Sequence, residues 1–202
     1  FSAVTYEEGR GNDDDFTSYT IPAVYSDRRN NRGLEGLAYN SDNGLLFGFI
    51  QTPMRPDGYA SDDSLRRILA FNPTTGEAEA EYLFVQTGPA NQDKIGDAVY
   101  DPTRGTFLVI DRDSGTELTS NKSVLEFDLR HATNVLGTDW QSVIGSAQPE
   151  ELAPAELATA LANADIALVS QKDLFNLPSV GAPANGDKPE GLALTRDGRL
   201  VV

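Results

Sequence analysis

The sequence predicts a single all-β domain over residues 1–202, and three observations support this prediction. Short apolar segments alternate with Gly, Pro, Asn and Asp, the residues that favour turns. Only one segment has the composition of a helix. Similar segments recur along the chain, which is typical of architectures built from repeated units. The 39% hydrophobic and 23% charged residues are those of a globular protein.

The strand-length segments are rich in Phe, Tyr, Val, Ile and Leu, which favour strands. Residues 72–77 (NPTTGE) separate two of these segments and predict a tight hairpin. The reason is that proline fixes φ at one turn position and glycine accepts a positive φ. The predicted strands are residues 44–51, 66–73, 79–86, 105–113 and 122–129.

One segment differs from the others in composition. Residues 149–164 (PEELAPAELATALANA) are rich in Ala, Leu and Glu, which have high helix propensity. Pro154 either divides this segment or is the first residue of a helix, where the missing N–H has no consequence. We therefore expect one short helix near residues 154–164, inserted among the strands.

A repeated motif places acidic residues at similar points of the chain. LEGLA at residues 34–38 recurs as PEGLA at residues 189–193, and each copy precedes a turn signal and an apolar segment. IGDAVYD at residues 95–101 is a weaker third copy, in which Asp97 falls close to the glutamate position. Repeats of this kind indicate a β-propeller, because each blade is one repeated four-stranded antiparallel sheet.

In a propeller the first strands of successive blades surround one channel, so Glu35, Asp97 and Glu190 are expected at a common mouth. Because a blade takes roughly 40–50 residues, this chain would supply about four to five blades. We expect an incomplete propeller whose natural chain continues beyond Val202. A β-sandwich also has short strands, but it does not predict recurring carboxylates.

Composition excludes several classes of function. The net charge of −15 argues against binding to nucleic acids or anionic membranes, since phosphate groups are bound by clustered Lys and Arg. No cysteine is present, so disulfides and thiol nucleophiles are excluded. No segment approaches the roughly 20 apolar residues of a membrane span. A Ser-His-Asp triad would need His131, the only histidine, which we interpret as a surface-turn residue.

Five segments within residues 33–202 together resemble the phytase-like family, also described by the esterase-like activity of phytase. The segments are LEGLAYNSDNGLLFGFIQTP, RRILAFNPTTGEAEAEYLF, IGDAVYDPTRGTFLVIDRDSG, SVLEFDLRHATNVLG and KPEGLALTRDGRLVV. The family commonly has E-R-D where this chain has Asp111-Arg112-Asp113. The resemblance implies a bacterial β-propeller hydrolase of phosphate esters in the periplasm or outside the cell, with its catalytic residues unknown.

The recurring carboxylates suggest a metal site. Glu35, Asp97 and Glu190 would repel one another at a common mouth unless a cation joined them, and Ca²⁺ binds six to eight oxygen ligands. Asp111 and Asp113 follow a predicted inner strand and could contribute to a second site. The alternative is that the carboxylates accept backbone N–H bonds and hold adjacent blades together.

Basic residues near these acids suggest a small anionic substrate such as a phosphate ester. Arg32 and Lys94 each precede a carboxylate by three residues, and Lys188 precedes Glu190 by two. Arg112 could bind a phosphate group through two nitrogens, or it could form an ion pair with a neighbouring aspartate or blade. A non-catalytic propeller that binds a ligand or a protein is the alternative function.

Overall fold

The protein is mostly β, with few helices, as the sequence predicts. A computed structural model describes residues 2–3, 19–59, 64–86, 94–115, 120–182 and 188–202. Near the start of the chain, β1 (Ser2–Ala3) and β2 (Tyr19–Thr20) pair as a two-stranded antiparallel sheet. A 3₁₀ helix follows at Ala23–Asp27.

The first four-stranded sheet is an antiparallel meander in chain order. Its strands are β3 (Leu34–Asn40), β4 (Leu45–Ile50), β5 (Leu65–Phe71) and β6 (Ala78–Val85). The predicted hairpin connects β5 to β6, and Gly76 in its turn has a φ of 72°. Three of the predicted strands are thereby confirmed.

The second four-stranded sheet repeats the same order. Its strands are β7 (Lys94–Asp101), β8 (Thr106–Arg112), β9 (Lys122–Asp128) and β10 (Ser170–Asn176). Here β8 and β9 confirm the remaining two predicted strands. A 3₁₀ helix at Leu177–Val180 follows β10, and the chain ends in a hairpin of β11 (Ala193–Leu194) and β12 (Leu200–Val201).

The segment between β9 and β10 is an insertion with helices. It contains α1 (Trp140–Ile144), a 3₁₀ helix at Pro149–Glu151, and α2 (Pro154–Asn163). The prediction of a helix near residues 154–164 is confirmed, with Pro154 at its start. The helix α1 was not predicted; it is short and begins where the Asp139 side chain accepts a hydrogen bond from Ser142 N.

The expected four to five blades are not what the described residues form. They contain two complete four-stranded sheets and two two-stranded ones, because the insertion occupies chain length that was assigned to strands. The strand β10 was also missed. Its sequence, SQKDLFN, is mostly polar and lacks the apolar pattern that predicts a strand.

The main core lies between the two four-stranded sheets, where phenylalanine rings of both sheets interlock. The rings of Phe47 and Phe107 lie 4.7 Å apart and those of Phe84 and Phe127 lie 4.9 Å apart. Such tilted and edge-to-face pairs add to the stabilisation from burial alone. The core therefore fixes β3 beside β7, the first strands of the two sheets.

The insertion leaves the second sheet and packs against the first. Val135 N donates to Glu81 O at 2.8 Å, and Val169 N donates to Leu83 O at 2.9 Å, so the outer edge of β6 is covered. Within the described residues, no helix is both long and apolar enough to cross a membrane.

Candidate functional site

The strands that carry Glu35 and Asp97 share one irregularity. Each has a one-residue bulge in its pairing with the next strand, and the bulged residue is Glu35 in β3 and Gly96 in β7. Asp97 therefore corresponds to Gly36, one residue beyond the glutamate position. Because a shift of one residue moves a strand side chain to the other face, Glu35 and Asp97 do not occupy equivalent places.

The glycines at these bulges are required by close packing of successive strands. A Cβ on Gly36 would lie 3.1 Å from the Cβ of Ala98 in β7. A Cβ on Gly96 would lie 2.7 Å from the carbonyl oxygen of Pro189, in the segment before β11. Gly36 thus lets β3 approach β7, and Gly96 lets β7 approach residues 188–192.

The three recurring carboxylates have different surroundings. Glu35 is exposed, with no hydrogen bond or ion pair to the described residues. Asp97 accepts backbone hydrogen bonds from Ala98 N at 2.8 Å and from Leu192 N at 2.6 Å. Glu190 accepts a hydrogen bond from the Arg112 guanidinium. In Asp97 the structure shows the backbone-pinning arrangement that sequence analysis left as the alternative.

The two aspartates that flank Arg112 are also engaged. Asp111 is buried and accepts hydrogen bonds from the side-chain amides of Gln86 and Asn121. Asp113 accepts from Lys122 Nζ at 3.1 Å and from two backbone amides. Burial alone would raise the pKa of the Asp113 carboxyl, but these hydrogen bonds and the Lys122 charge lower it overall.

The described residues do not bring the five acids into a calcium site. They contain no group of three or more Asp, Glu or His side chains able to hold a metal ion. Asp97 and Glu190 already accept hydrogen bonds from protein donors, which Ca²⁺ would have to replace. Binding of the ion would therefore require these two side chains to exchange their present partners.

The basic residues predicted from the sequence do come together. Lys94 pairs directly across from Arg112, so their side chains share one face of the second sheet. Burial lowers the pKa of the Lys94 ammonium, and nearby positive charges lower it further. These charges belong to Arg32, Arg112, Lys188 and Arg29. We call Lys94 and these four residues the cation cluster.

Two members of the cation cluster are held by neutral partners. Lys94 Nζ donates to Ser114 Oγ at 2.7 Å, and Arg32 Nη1 donates to Gln51 Oε1 at 3.0 Å. Ser114 and Gln51 could not be predicted, because a single uncharged side chain carries no signal for its role. These contacts orient the two cations without neutralising their charge.

Arg112 is the member whose open donors are buried. Its side chain is 3% exposed, and its Nη2 donates to Glu190 Oε1. Its Nε and Nη1 are buried without a hydrogen-bond partner in the described part of the chain. Buried guanidinium nitrogens are normally paired, because leaving a charged donor unsatisfied costs more than leaving a neutral one. Such a group has free donors that could bind an anion.

Sequence analysis also missed Lys122, the other neighbour of Arg112 across the sheet. Its position at the start of a predicted strand was the available signal. His131 is exposed in a turn, as expected for a surface histidine. The cation cluster could attract and hold an anion. The acids near it have different partners.

A family model with the description "Phytase-like: Esterase-like activity of phytase" matches residues 8–202. The match covers both four-stranded sheets, the insertion and the cation cluster. No curated protein matches the chain, and no solved structure matches it.

Proposed function

The chain belongs to the phytase-like family, and we propose that it is a hydrolase of phosphate esters whose phosphate group binds at the cation cluster. The observation that supports this site is Arg112, a buried guanidinium with two unpartnered nitrogens. Guanidinium binds phosphate through two parallel N–H···O bonds, which makes it the preferred partner for this group.

The charge distribution supports an anionic substrate. The chain carries 16 basic and 31 acidic residues, yet four other cations are near enough to Lys94 to lower its pKa. Local positive potential raises the concentration of anions at the site and speeds their association. Burial is the main reason that the pKa of Lys94 is lowered, and the neighbouring cations lower it further because each disfavours its charged form.

We also propose that the two four-stranded sheets are successive propeller blades. Three observations support this: the sheets have the same strand order, β3 contacts β7, and β7 contacts β11. First strands of neighbouring blades meet in this way around a propeller axis. The cation cluster then lies where the first strands of successive blades begin.

Calcium binding by Glu35, Asp97 and Glu190, with Asp111 and Asp113 at a second site, stays a separate prediction. A comparison of phosphate release in Ca²⁺ and in EGTA tests it. Location in the periplasm or outside the cell is inferred from the family alone. Fractionation of the native host tests that inference.

The test of the proposed function is phosphate release from phytate and from p-nitrophenyl phosphate, with p-nitrophenyl acetate as an uncharged ester. We expect Arg112→Met to lower kcat/KM for the phosphate esters by about tenfold or more, since a hydrogen bond to a charged group is lost. Arg196→Met is the matched control, because Arg196 is exposed in the β11–β12 turn and has the same charge. Absence of phosphate release by the unaltered protein contradicts the proposal.

A second candidate is a non-catalytic module that binds an anion. The position of Asp97 favours this non-catalytic role, because the carboxylate accepts a hydrogen bond from the backbone of residue 192 and is not free to act as a base. Phosphate binding without hydrolysis of either phosphate ester would identify this alternative.

A further inference from the structure

The two partners of the ion pair between Arg112 and Glu190 differ strongly in burial. The Arg112 side chain is 3% exposed, whereas the Glu190 side chain is 60% exposed. Only Oε1 of Glu190 contacts the guanidinium, and it reaches only Nη2. The buried cation therefore has a single partner, which is itself largely in water.

The geometry of a guanidinium makes this single contact important. Nη2 forms a two-donor fork with Nε on one side and with Nη1 on the other. Glu190 accepts through one oxygen from the nitrogen that both forks share, so neither fork is completed and Nε and Nη1 stay unpaired. A ligand with two oxygens on one centre can replace this single contact with a complete fork.

We propose that Glu190 is an internal stand-in for the ligand: the phosphate of a monoester, or inorganic phosphate, displaces its carboxylate from Arg112 and occupies a fork of the guanidinium. This inference rests on the anion site of the proposed function, but not on hydrolysis. It makes Glu190 a competitor of the substrate.

The exchange requires little change in the fold. The segment that carries Glu190 is held independently, by the hydrogen bond from Leu192 N to Asp97 and by the packing of Pro189 against Gly96. The Glu190 carboxylate can therefore turn into solvent while the backbone stays in place. Since this group is already mostly exposed, its return to water loses little, as for other surface ion pairs.

The charge of the site favours a dianion. Arg112 and Lys94 face one another across two strands, and Arg32 and Lys188 add to the positive charge around Lys94. A phosphate monoester carries close to two charges at neutral pH, because its second pKa is about 6. A phosphodiester carries one charge, and we expect it to displace Glu190 less effectively.

Isothermal titration calorimetry with inorganic phosphate at low ionic strength tests the inference. We expect Glu190→Gln to bind phosphate about three to ten times more tightly than the unaltered protein, because a competing carboxylate is removed. Glu156→Gln is the matched control, because Glu156 is exposed on α2, in the insertion. We expect its phosphate affinity to be unchanged. Glu190→Ala provides a second variant if the glutamine side chain still accepts from Arg112.

The outcomes separate this inference from the proposed function. Unchanged or weaker phosphate binding in both Glu190 variants overturns the stand-in role, even if the unaltered protein hydrolyses phosphate esters. Tighter binding with no hydrolysis by any form supports the stand-in role and contradicts the enzyme. If Arg112→Met binds phosphate as well as the unaltered protein, the anion site lies elsewhere and the inference fails.

Discussion

Two buried arginines, Arg67 and Arg112, differ in how many of their guanidinium nitrogens have hydrogen-bond partners. Their side chains are 1% and 3% exposed. Every guanidinium nitrogen of Arg67 has a partner: Nε and Nη2 contact Glu150, and Nη1 contacts Glu81. Arg112 uses one nitrogen of three. Burial alone therefore does not distinguish these two arginines; the number of guanidinium nitrogens without a partner does.

The partners of Arg67 explain its role. Glu81 lies on β6, whereas Glu150 lies in the insertion, so the arginine joins the insertion to the first sheet. Burial raises the pKa of the Glu81 carboxyl, and Glu150 adds to this rise while Arg67 opposes it. Two buried carboxylates thus share one buried guanidinium. Without the Arg67 guanidinium, both buried carboxylates would lose the positive charge that stabilises them.

The largest expected effect is therefore on stability, in Arg67→Met. Removal of the guanidinium leaves Glu81 and Glu150 buried beside each other, and loss of one partner of a buried ion pair costs about 3–5 kcal/mol. Urea denaturation followed by circular dichroism measures the change in the free energy of unfolding.

A triple variant checks that the loss comes from the unpaired acids. Arg67→Met combined with Glu81→Leu and Glu150→Met replaces the whole network with apolar groups of similar size. Such replacements are often neutral or stabilising, so we expect most of the lost stability to return. If Arg67→Met alone is as stable as the unaltered protein, the structural role of Arg67 is contradicted.

The next effect concerns the packing that holds residues 188–192 beside the cation cluster. Gly96→Ala places a Cβ 2.7 Å from the carbonyl oxygen of Pro189, closer than real contacts allow. We expect destabilisation of about 1–3 kcal/mol, the usual range for overpacking. Gly33→Ala is the matched control, because nothing lies within 4 Å of its added Cβ. Equal effects in the two variants would show that packing at Gly96 is not the cause.

The fold was predicted where the local pattern is strong. Five apolar segments and the Ala-rich helix α2 have propensities that agree with their structure. The strand β10 failed this rule, because its polar residues pair with β9 without forming an apolar face. The contact between Arg67 and Glu150 could not be predicted either, since it joins distant parts of the chain through the insertion.

The candidate site was predicted in part. The basic residues assembled because Lys94 and Arg112 pair across two strands whose register the apolar pattern fixes. Glu35 and Asp97 do not lie at equivalent places, because the acid is the bulged residue in β3 but follows the bulged residue Gly96 in β7. A bulge of one residue leaves no clear mark in a sequence of this kind.

A smaller effect on the free energy of unfolding is expected at Asp113, and it depends on pH. The pKa of Asp113 is lowered in the folded protein, so its ionised form stabilises the fold above the unfolded value near 3.8. This stability is lost as the pH falls through the lower folded pKa. We expect Asp113→Asn to lose about 1 kcal/mol at pH 7, through its weakened bond to Lys122, and to lose almost nothing at the acid end. Urea titrations across this range measure it, with the exposed Asp57→Asn as control. A loss that does not vary with pH contradicts the assignment.

The smallest effect on stability is expected from Arg112→Met, and it is the sharpest test of the comparison. Methionine keeps much of the apolar stem of arginine and removes two buried nitrogens that have no partner, while Glu190, already 60% exposed, returns to water. We therefore expect the free energy of unfolding to change by less than about 1 kcal/mol, or to rise, because an unsatisfied buried charge is removed. Urea denaturation beside Arg67→Met measures the contrast. A loss as large as that of Arg67→Met would make Arg112 a second structural clamp, whereas a stable variant that no longer binds phosphate would show that its open nitrogens serve the ligand.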